Sequence, residues 1–188
     1  LEFIVFDKLN AVLGSQTKYQ TSPARWPPAP RHGKVTFMSD LDTIDRAILR
    51  IIATDSALSL NEIAEKVGLT ATPCWKRIKR MEETGVIRGR VAVLDADKLG
   101  LPISVFVSVE TADHSAEWLQ KFAGTIAESR EIVGAWRMSG DVDYLLHVIV
   151  PDIAAYDAFY RKLIAAVPLR NVSSRFAMER MKDGALPI

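Results

Sequence analysis

The sequence holds a single cysteine, Cys74, so no intramolecular disulfide framework supports it. That economy fits a reducing compartment. Its three histidines, His32, His114 and His147, stand far apart and share no metal-ligand spacing with Cys74. A glycine-rich phosphate loop and a serine nucleophile elbow are both missing. These absences argue against an enzyme, and neither metal nor cofactor is expected. No apolar run reaches the roughly 20 residues that a bilayer span requires. Leu1 to Phe6 is apolar, but Asp7 and Lys8 follow at once and no basic segment precedes it, so it does not read as a secretion signal. A cytoplasmic protein is expected. Excess charge of one sign is missing too: 24 basic and 23 acidic side chains leave a formal net charge of +1, so any electrostatic footprint must come from local clustering.

What is present is an ordinary globular composition, 48% hydrophobic and 25% charged, in a chain long enough for one large or two small domains. Residues 1–37 differ from the rest. Pro23, Pro27, Pro28 and Pro30 crowd a stretch rich in Arg, Ser and Thr, which can build neither a helix nor a central strand and reads as disordered. Met38 stands directly before the first well-patterned helix and is read as the natural start, with the leader a start-site artefact. The alternative is a basic arm that touches DNA through Arg25, Arg31 and Lys34.

From Leu41 the apolar period is helical. Leu41, Ile44, Ile48 and Ile51/Ile52 recur at three- and four-residue steps, with Asp42 and Asp45 in the first turn where they favour the helix dipole. Ser59-Leu60-Asn61-Glu62 is a capping-box pattern, opening a second helix that buries Leu60, Ile63, Ala64 and Val67 before Gly68 reverses the chain. Thr70 caps a third helix that tolerates Pro73 in its first turn and runs to about Thr84, where Gly85 ends it. Two helices across a short Gly68-Leu69-Thr70 turn, behind a supporting first helix, form a helix-turn-helix. Val86 to Val91 reads as a short strand or wing, and residues 95–102 as a linker.

A different pattern follows. Ile103–Glu110 alternates as a strand. Ser115–Glu128 is a helix with Trp118, Leu119, Phe122 and Ile126 on one face. Glu131–Met138 and Asp143–Val150 are strands around a Ser139-Gly140-Asp141-Val142 turn. Asp152–Val167 is a helix with Ile153, Tyr156, Phe159/Tyr160 and Leu163 inward, and Val172–Glu179 is a closing strand. The order β-α-β-β-α-β predicts an α+β, ferredoxin-like domain over residues 103–188, its helices on one face of an antiparallel sheet. Tyr144 to Val150 is apolar on both alternating faces, whereas a strand half open to water alternates polar and apolar. The open face needs a cover, and a second copy of the chain is the simplest one.

The chemistry concentrates on the third helix. Trp75, Ile78 and Met81 lie at three-residue steps and are expected in the core, with Cys74 a semi-buried packing residue. Lys76, Arg77, Lys79 and Arg80 take the other side, and Arg88 and Arg90 follow on the wing. Only Glu82 and Glu83 oppose these six cations, so the run makes a positive surface rather than a merely solvated face. It suits phosphate contact and entry into the major groove of double-stranded DNA. Thr70, Thr72 and Pro73 stand where base edges are read, and Arg77 is placed to reach guanine.

Ile44-Asp45, Ile63-Ala64, Val67-Gly68-Leu69-Thr70, Thr72 through Glu82, Gly85-Val86-Ile87 and the later Ser139 through Leu146 together resemble the leucine-responsive regulatory protein (Lrp/AsnC) family over residues 41 to about 188. The resemblance implies a winged helix-turn-helix at 38–94, with the helix-turn-helix on about Leu60 to Lys79, joined to a ligand-sensing domain. It further implies a nucleoid-associated transcriptional regulator, dimers that assemble to tetramers or octamers, and an amino acid as effector bound between subunits. The family's effector position falls here on Gly140, Asp141, Asp143 and Tyr144, with Arg137 and Met138 as weaker candidates. A carboxylate there can bind an α-ammonium and backbone amides near Gly140 an α-carboxylate, though Ser-Gly-Asp is also good hairpin chemistry with no ligand. Two other readings remain open at this point: a siroheme-decarboxylase-like enzyme of the same fold, and an architectural protein that coats DNA.

Overall fold

The computed structural model describes residues 40–182 and 184–188, so the reading of the leader and its arm residues lies outside the described part. Among these residues the chain divides into two units. One covers Leu94–Met181, and the other ends at Val93 and includes Lys182–Ile188.

Three helices build the first unit: α1 (Thr43–Thr54), α2 (Leu60–Lys66) and α3 (Ala71–Glu83). Asp42 caps α1, and Asp45 returns the bond to the Asp42 amide, which makes a full capping box rather than a simple pairing of carboxylates with the helix dipole. Ser59 and Glu62 do the same for α2. Gly68 then adopts φ +69° at the end of α2, while the Leu69 amide reaches back to Ala64 and the Gly68 amide to Glu65. This is a Schellman termination, and its left-handed residue favours glycine. Gly85 closes α3 in a similar way. The buried core is Ile48, Ile52, Ile63, Ala64, Cys74, Ile78 and Met81.

Two expectations for this unit change. Trp75 is 48% exposed, and Cys74, at 0%, takes its place in the core. The apolar stripe of α3 therefore runs Cys74, Ile78, Met81, at steps of four and three, and the indole lies one position around the helix on its flank. The expected strand at Val86 to Val91 does not form. Val86 and Ile87 pack on the helical core, and the chain beyond them runs on without regular structure, leaving Val91 and Val93 exposed. A strand exists only through its ladder bonds, and among the described residues none pair this segment.

The second unit opens with a single 3-10 turn, Asp97–Leu99. Then come β1 (Ile103–Glu110), α4 (Ala116–Glu128), β2 (Ile132–Arg137), β3 (Tyr144–Val150), α5 (Ile153–Ala166) and β4 (Asn171–Phe176). The sheet order is β2-β3-β1-β4 with every neighbour antiparallel, which is the ferredoxin-like arrangement expected. Val105, Val107 and Val109 of β1 and Leu146, Val148 and Val150 of β3 point to one face and are fully buried. There they meet Trp118 and Phe122 of α4 and Tyr156, Phe159 and Leu163 of α5. Burying each such side chain stabilises the unit by about 2 kcal/mol. Ile153, expected inward, is 59% exposed, and Val167 supplies the buried apolar contact at the far end of α5 instead. Ile153 is the first residue of α5, directly behind the Asp152 cap, and the buried stripe begins at Tyr156. The last strand stops at Phe176, short of Glu179.

Among the described residues no helix lies against the opposite face of the sheet. Register places Trp136, Leu145 and Ser108 in one row across it, and Gly134, His147, Phe106 and Arg175 in the next. Among the described residues no helix is long and apolar enough to cross a membrane.

Candidate nucleic-acid interface and effector turn

With Cys74, Ile78 and Met81 in the core, helical geometry turns Thr72, Lys76 and Lys79 outward and leaves Arg77 and Trp75 on opposite flanks. Thr70, Thr72, Pro73, Lys76, Lys79 and Arg80 are all exposed, so the surface of α3 is basic from Lys76 to Arg80 and ends in the exposed Glu82 and Glu83. Lys79 is half exposed and lies 3.8 Å from Glu83 and 4.9 Å above the Trp75 ring. Arg90 reaches Glu82 at 3.3 Å, which ties the segment after α3 back to that helix, and Arg88 is exposed beside it.

Arg77 has a different environment. Its Nη1 donates to Asp42 Oδ2 at 2.6 Å and to Asp45 Oδ1 at 2.9 Å. Arg80 Nη2 donates to the other Asp45 oxygen at 2.5 Å. The Asp45 side chain is 0% exposed and therefore sits between two guanidiniums, a buried carboxylate satisfied by charge-assisted bonds from α3 and by its own capping bond. Asp42 is held below the usual carboxylate range by the Asp45 amide and then by Arg77, and the two carboxylates raise Arg77 further. Burial pushes the Cys74 thiol up, against a smaller opposing pull from Arg77, which leaves it a packing group.

This clamp was not anticipated from the sequence, yet a signal for it exists. Asp45, Ile48 and Ile52 lie at steps of three and four, so the carboxylate falls on the buried stripe of α1. A carboxylate on a core stripe demands a cation, and α3 carries the nearest run of them.

In the second unit, Gly140, Asp141 and Asp143 share the turn between β2 and β3, closed by a bond from the Met138 amide to the Asp143 carbonyl. Gly140 takes φ +108° and Asp141 is exposed. Asp143 already has work within the fold: its Oδ2 accepts from the Thr111 amide at 2.8 Å, tying the turn to the end of β1. Tyr144 turns to the helix side, its ring 4.8 Å from Phe122 and 5.8 Å from Trp118, and burial raises its hydroxyl above the ordinary value. Three of the four candidates thus gather at one turn, and the fourth packs beneath it. Arg137 and Met138 are exposed at the end of β2. Among the described residues no cluster of three or more His, Cys, Asp or Glu could hold a metal.

Comparison with known proteins agrees with both units. Residues 41–88 match the family described as winged helix-turn-helix DNA-binding, and residues 104–187 the one described as Lrp/AsnC ligand binding domain. The DNA-binding transcriptional activator DecR of Escherichia coli K12 is 48% identical over 150 residues, covering 79% of this chain and 99% of that protein. The crystal structure of an AsnC family transcriptional regulator from Agrobacterium tumefaciens is 57% identical, with a TM-score of 0.75 over 78% of this chain and 97% of that one. A transcriptional regulator from Neisseria meningitidis, solved as a complex with L-Met, is 26% identical at a TM-score of 0.75, covering 78% and 96%. The chain belongs to the Lrp/AsnC family of DNA-binding transcriptional regulators, which are not enzymes.

Proposed function

We propose that this protein is a sequence-specific regulator of genes of amino-acid metabolism, working as a homodimer whose grip on DNA is set by an amino-acid effector bound between subunits. The observation that carries the reading is the exposed basic surface of α3 from Lys76 to Arg80, on a helix held in a capped and anchored trio. Its DNA contacts are Thr70, Thr72 and Pro73 at the start of α3, Lys76, Lys79 and Arg80 along it, and Arg88 and Arg90 beyond it. Arg77, and through its bond to Asp45 also the half-exposed Arg80, anchors α3 to α1 behind that interface. Its effector contacts are Gly140, Asp141, Asp143 and Tyr144, and the complex of the Neisseria regulator with L-Met supports an amino acid in that role.

The second copy covers the helix-free face of the sheet. That face carries Phe106 at 36% and Trp136 at 50% exposure beside the half-buried Leu145, His147 and Ile149, a large apolar surface of the kind that marks an interface. Further association to tetramers or octamers then places several DNA-binding units on one stretch of duplex. Effector binding would favour one placement of those units over another and so change which half-sites are reached together.

Gel shifts on the DNA upstream of the protein's own gene, with and without each of the twenty amino acids, test this reading. Retarded complexes whose midpoint moves with one amino acid are expected. Equal affinity for that DNA and for a shuffled duplex would overturn sequence-specific regulation. An Asp143→Ala protein is expected to bind DNA while losing the amino-acid response.

A further inference from the structure

The flank of α3 opposite Arg77 carries a feature that neither the core nor the basic surface accounts for. Trp75 leaves 48% of its surface in water, on the helix that bears Lys76, Lys79 and Arg80. An indole buries up to about 250 Å² when it packs fully. At this position the fold forgoes much of that gain, although Cys74 beside it is completely buried. The indole is also held in place. Lys79 lies 4.9 Å over its ring, and the indole walls a groove of about 180 Å³ together with Leu58, Leu60, Ile63, Ile78, Glu82 and Arg90. The half-exposed ring therefore lies between apolar side chains and the charged groups of Lys79, Glu82 and Arg90.

We propose that Trp75 is a specificity-determining DNA contact, packing the exposed part of its ring against thymine 5-methyl groups in the major groove. The inference rests on the reading of α3 as the recognition helix. Three observations select duplex DNA as the occupant of this flank. Its neighbours Lys76 and Lys79 supply the charge that phosphates require. Trp75 lies one turn before Lys79 on the same side of α3, with the ammonium 4.9 Å over its ring, so a duplex gripped by Lys79 comes against the indole. The guanidinium that the sequence placed to read guanine is held by Asp42 and Asp45 on the other flank, which leaves apolar readout to the side chain that is free to give it. Thymine is the base that presents a methyl group in the major groove, and apolar side chains read it by contact.

The experiment begins with a duplex selected by the wild-type protein from a random pool. Each thymine of that duplex is then replaced singly by deoxyuridine, which lacks only the 5-methyl group. For the wild type, one or two positions per half-site are expected to lose about fourfold in affinity, the worth of one buried methyl. Trp75→Ala is expected to bind the unmodified duplex about tenfold more weakly, by analogy with the loss of one good base contact. It should show no further loss at those same positions, and its affinity for a shuffled duplex and its salt dependence should stay at wild-type values. Alanine is a good helix former at this position, so the unchanged affinity for the shuffled duplex separates readout from folding.

Two results would overturn the proposal: deoxyuridine substitutions that weaken Trp75→Ala as much as they weaken the wild type, or an alanine variant that keeps the wild-type preference for the selected duplex. If the wild type itself binds selected and shuffled duplexes equally, the sequence-specific reading falls and takes this proposal with it. The three outcomes are distinguishable in one titration series.

Discussion

The two units bury ionic and apolar groups in opposite ways. In the helical unit a carboxylate, Asp45, occupies the core stripe and is neutralised from outside by Arg77 and Arg80. In the sheet unit the helix-facing core is built from valines, leucines and aromatic rings, with Ser174 bonded to the Tyr156 hydroxyl, and Ser108 and His147 lie on the open face. The difference follows from what each unit must hold still. Three short helices share little apolar surface, so a directional clamp fixes the orientation of α3. A four-stranded sheet is oriented by its own ladder and can leave a face for a partner.

The comparison can be broken at its extremes. Phe122→Ala removes a ring buried to 1% exposure between α4, Trp118 and Tyr144, and is expected to cost the sheet unit about 4 kcal/mol. Melting followed by near-ultraviolet circular dichroism and by amide exchange should show that loss in Leu94–Met181, with protection in α1–α3 retained. A uniform loss would mean that the units are not separate. Asp45→Ala should act in the converse sense, costing the helical unit about 1–2 kcal/mol, since the capping bond and the shared carboxylate are lost while Arg77 keeps Asp42 and Arg80 keeps water. Combined with Arg77→Ala it should cost much less than the sum of the single changes, since both remove the same contact.

A smaller effect sharpens the picture of the open face. His147 stacks on Phe106 at 4.7 Å, with its Nε2 2.8 Å from the Ser104 hydroxyl. Burial, and to a lesser extent Arg180, lowers its pKa from the ordinary 6.5. The folded state therefore binds this proton less readily than the unfolded chain. Stability is full above about pH 6.5 and falls as pH drops from there through the lower folded value. His147→Gln should flatten that part of the pH profile of the sheet unit and leave the helical unit's profile unchanged. Asp42 acts at more acid pH, because its folded pKa lies below the ordinary 3.8: its contribution is present above that value and is lost as pH falls through the lower folded one.

The sequence made some of this visible for clear physical reasons. Capping boxes and glycine terminations are local, so the limits of α2 and α3 could be read from Ser59, Glu62, Gly68 and Gly85. The sheet topology followed from element order, and the helix-free face from the doubly apolar run at Tyr144 to Val150. What escaped was the facing of single side chains. Three-residue steps through Trp75, Ile78 and Met81 and four-residue steps from Cys74 are nearly degenerate on a helix, and only the partner helices decide between them. Arg77 looked like its basic neighbours until α1 brought Asp42 and Asp45 against it. Gly134 shows a similar limit. A Cβ there would lie 2.5 Å from the Trp136 ring, so glycine lets the indole lie along the strand, a close approach with no local sequence signature. The candidate effector turn was the least legible part, because Asp143 serves the fold whether or not a ligand binds.

The central claim is that α3 presents one flank to DNA and anchors the other to α1. Its most direct test is the salt dependence of binding to a selected duplex for Lys76→Ala beside Arg77→Ala. A phosphate contact contributes about 0.9 to the slope of log affinity against log salt. Lys76→Ala should lower the slope by about that much, whereas Arg77→Ala should weaken binding at every salt concentration with the wild-type slope intact. If Arg77→Ala lowers the slope as Lys76→Ala does, Arg77 leaves its carboxylates to grip DNA, and the two-flank account is wrong.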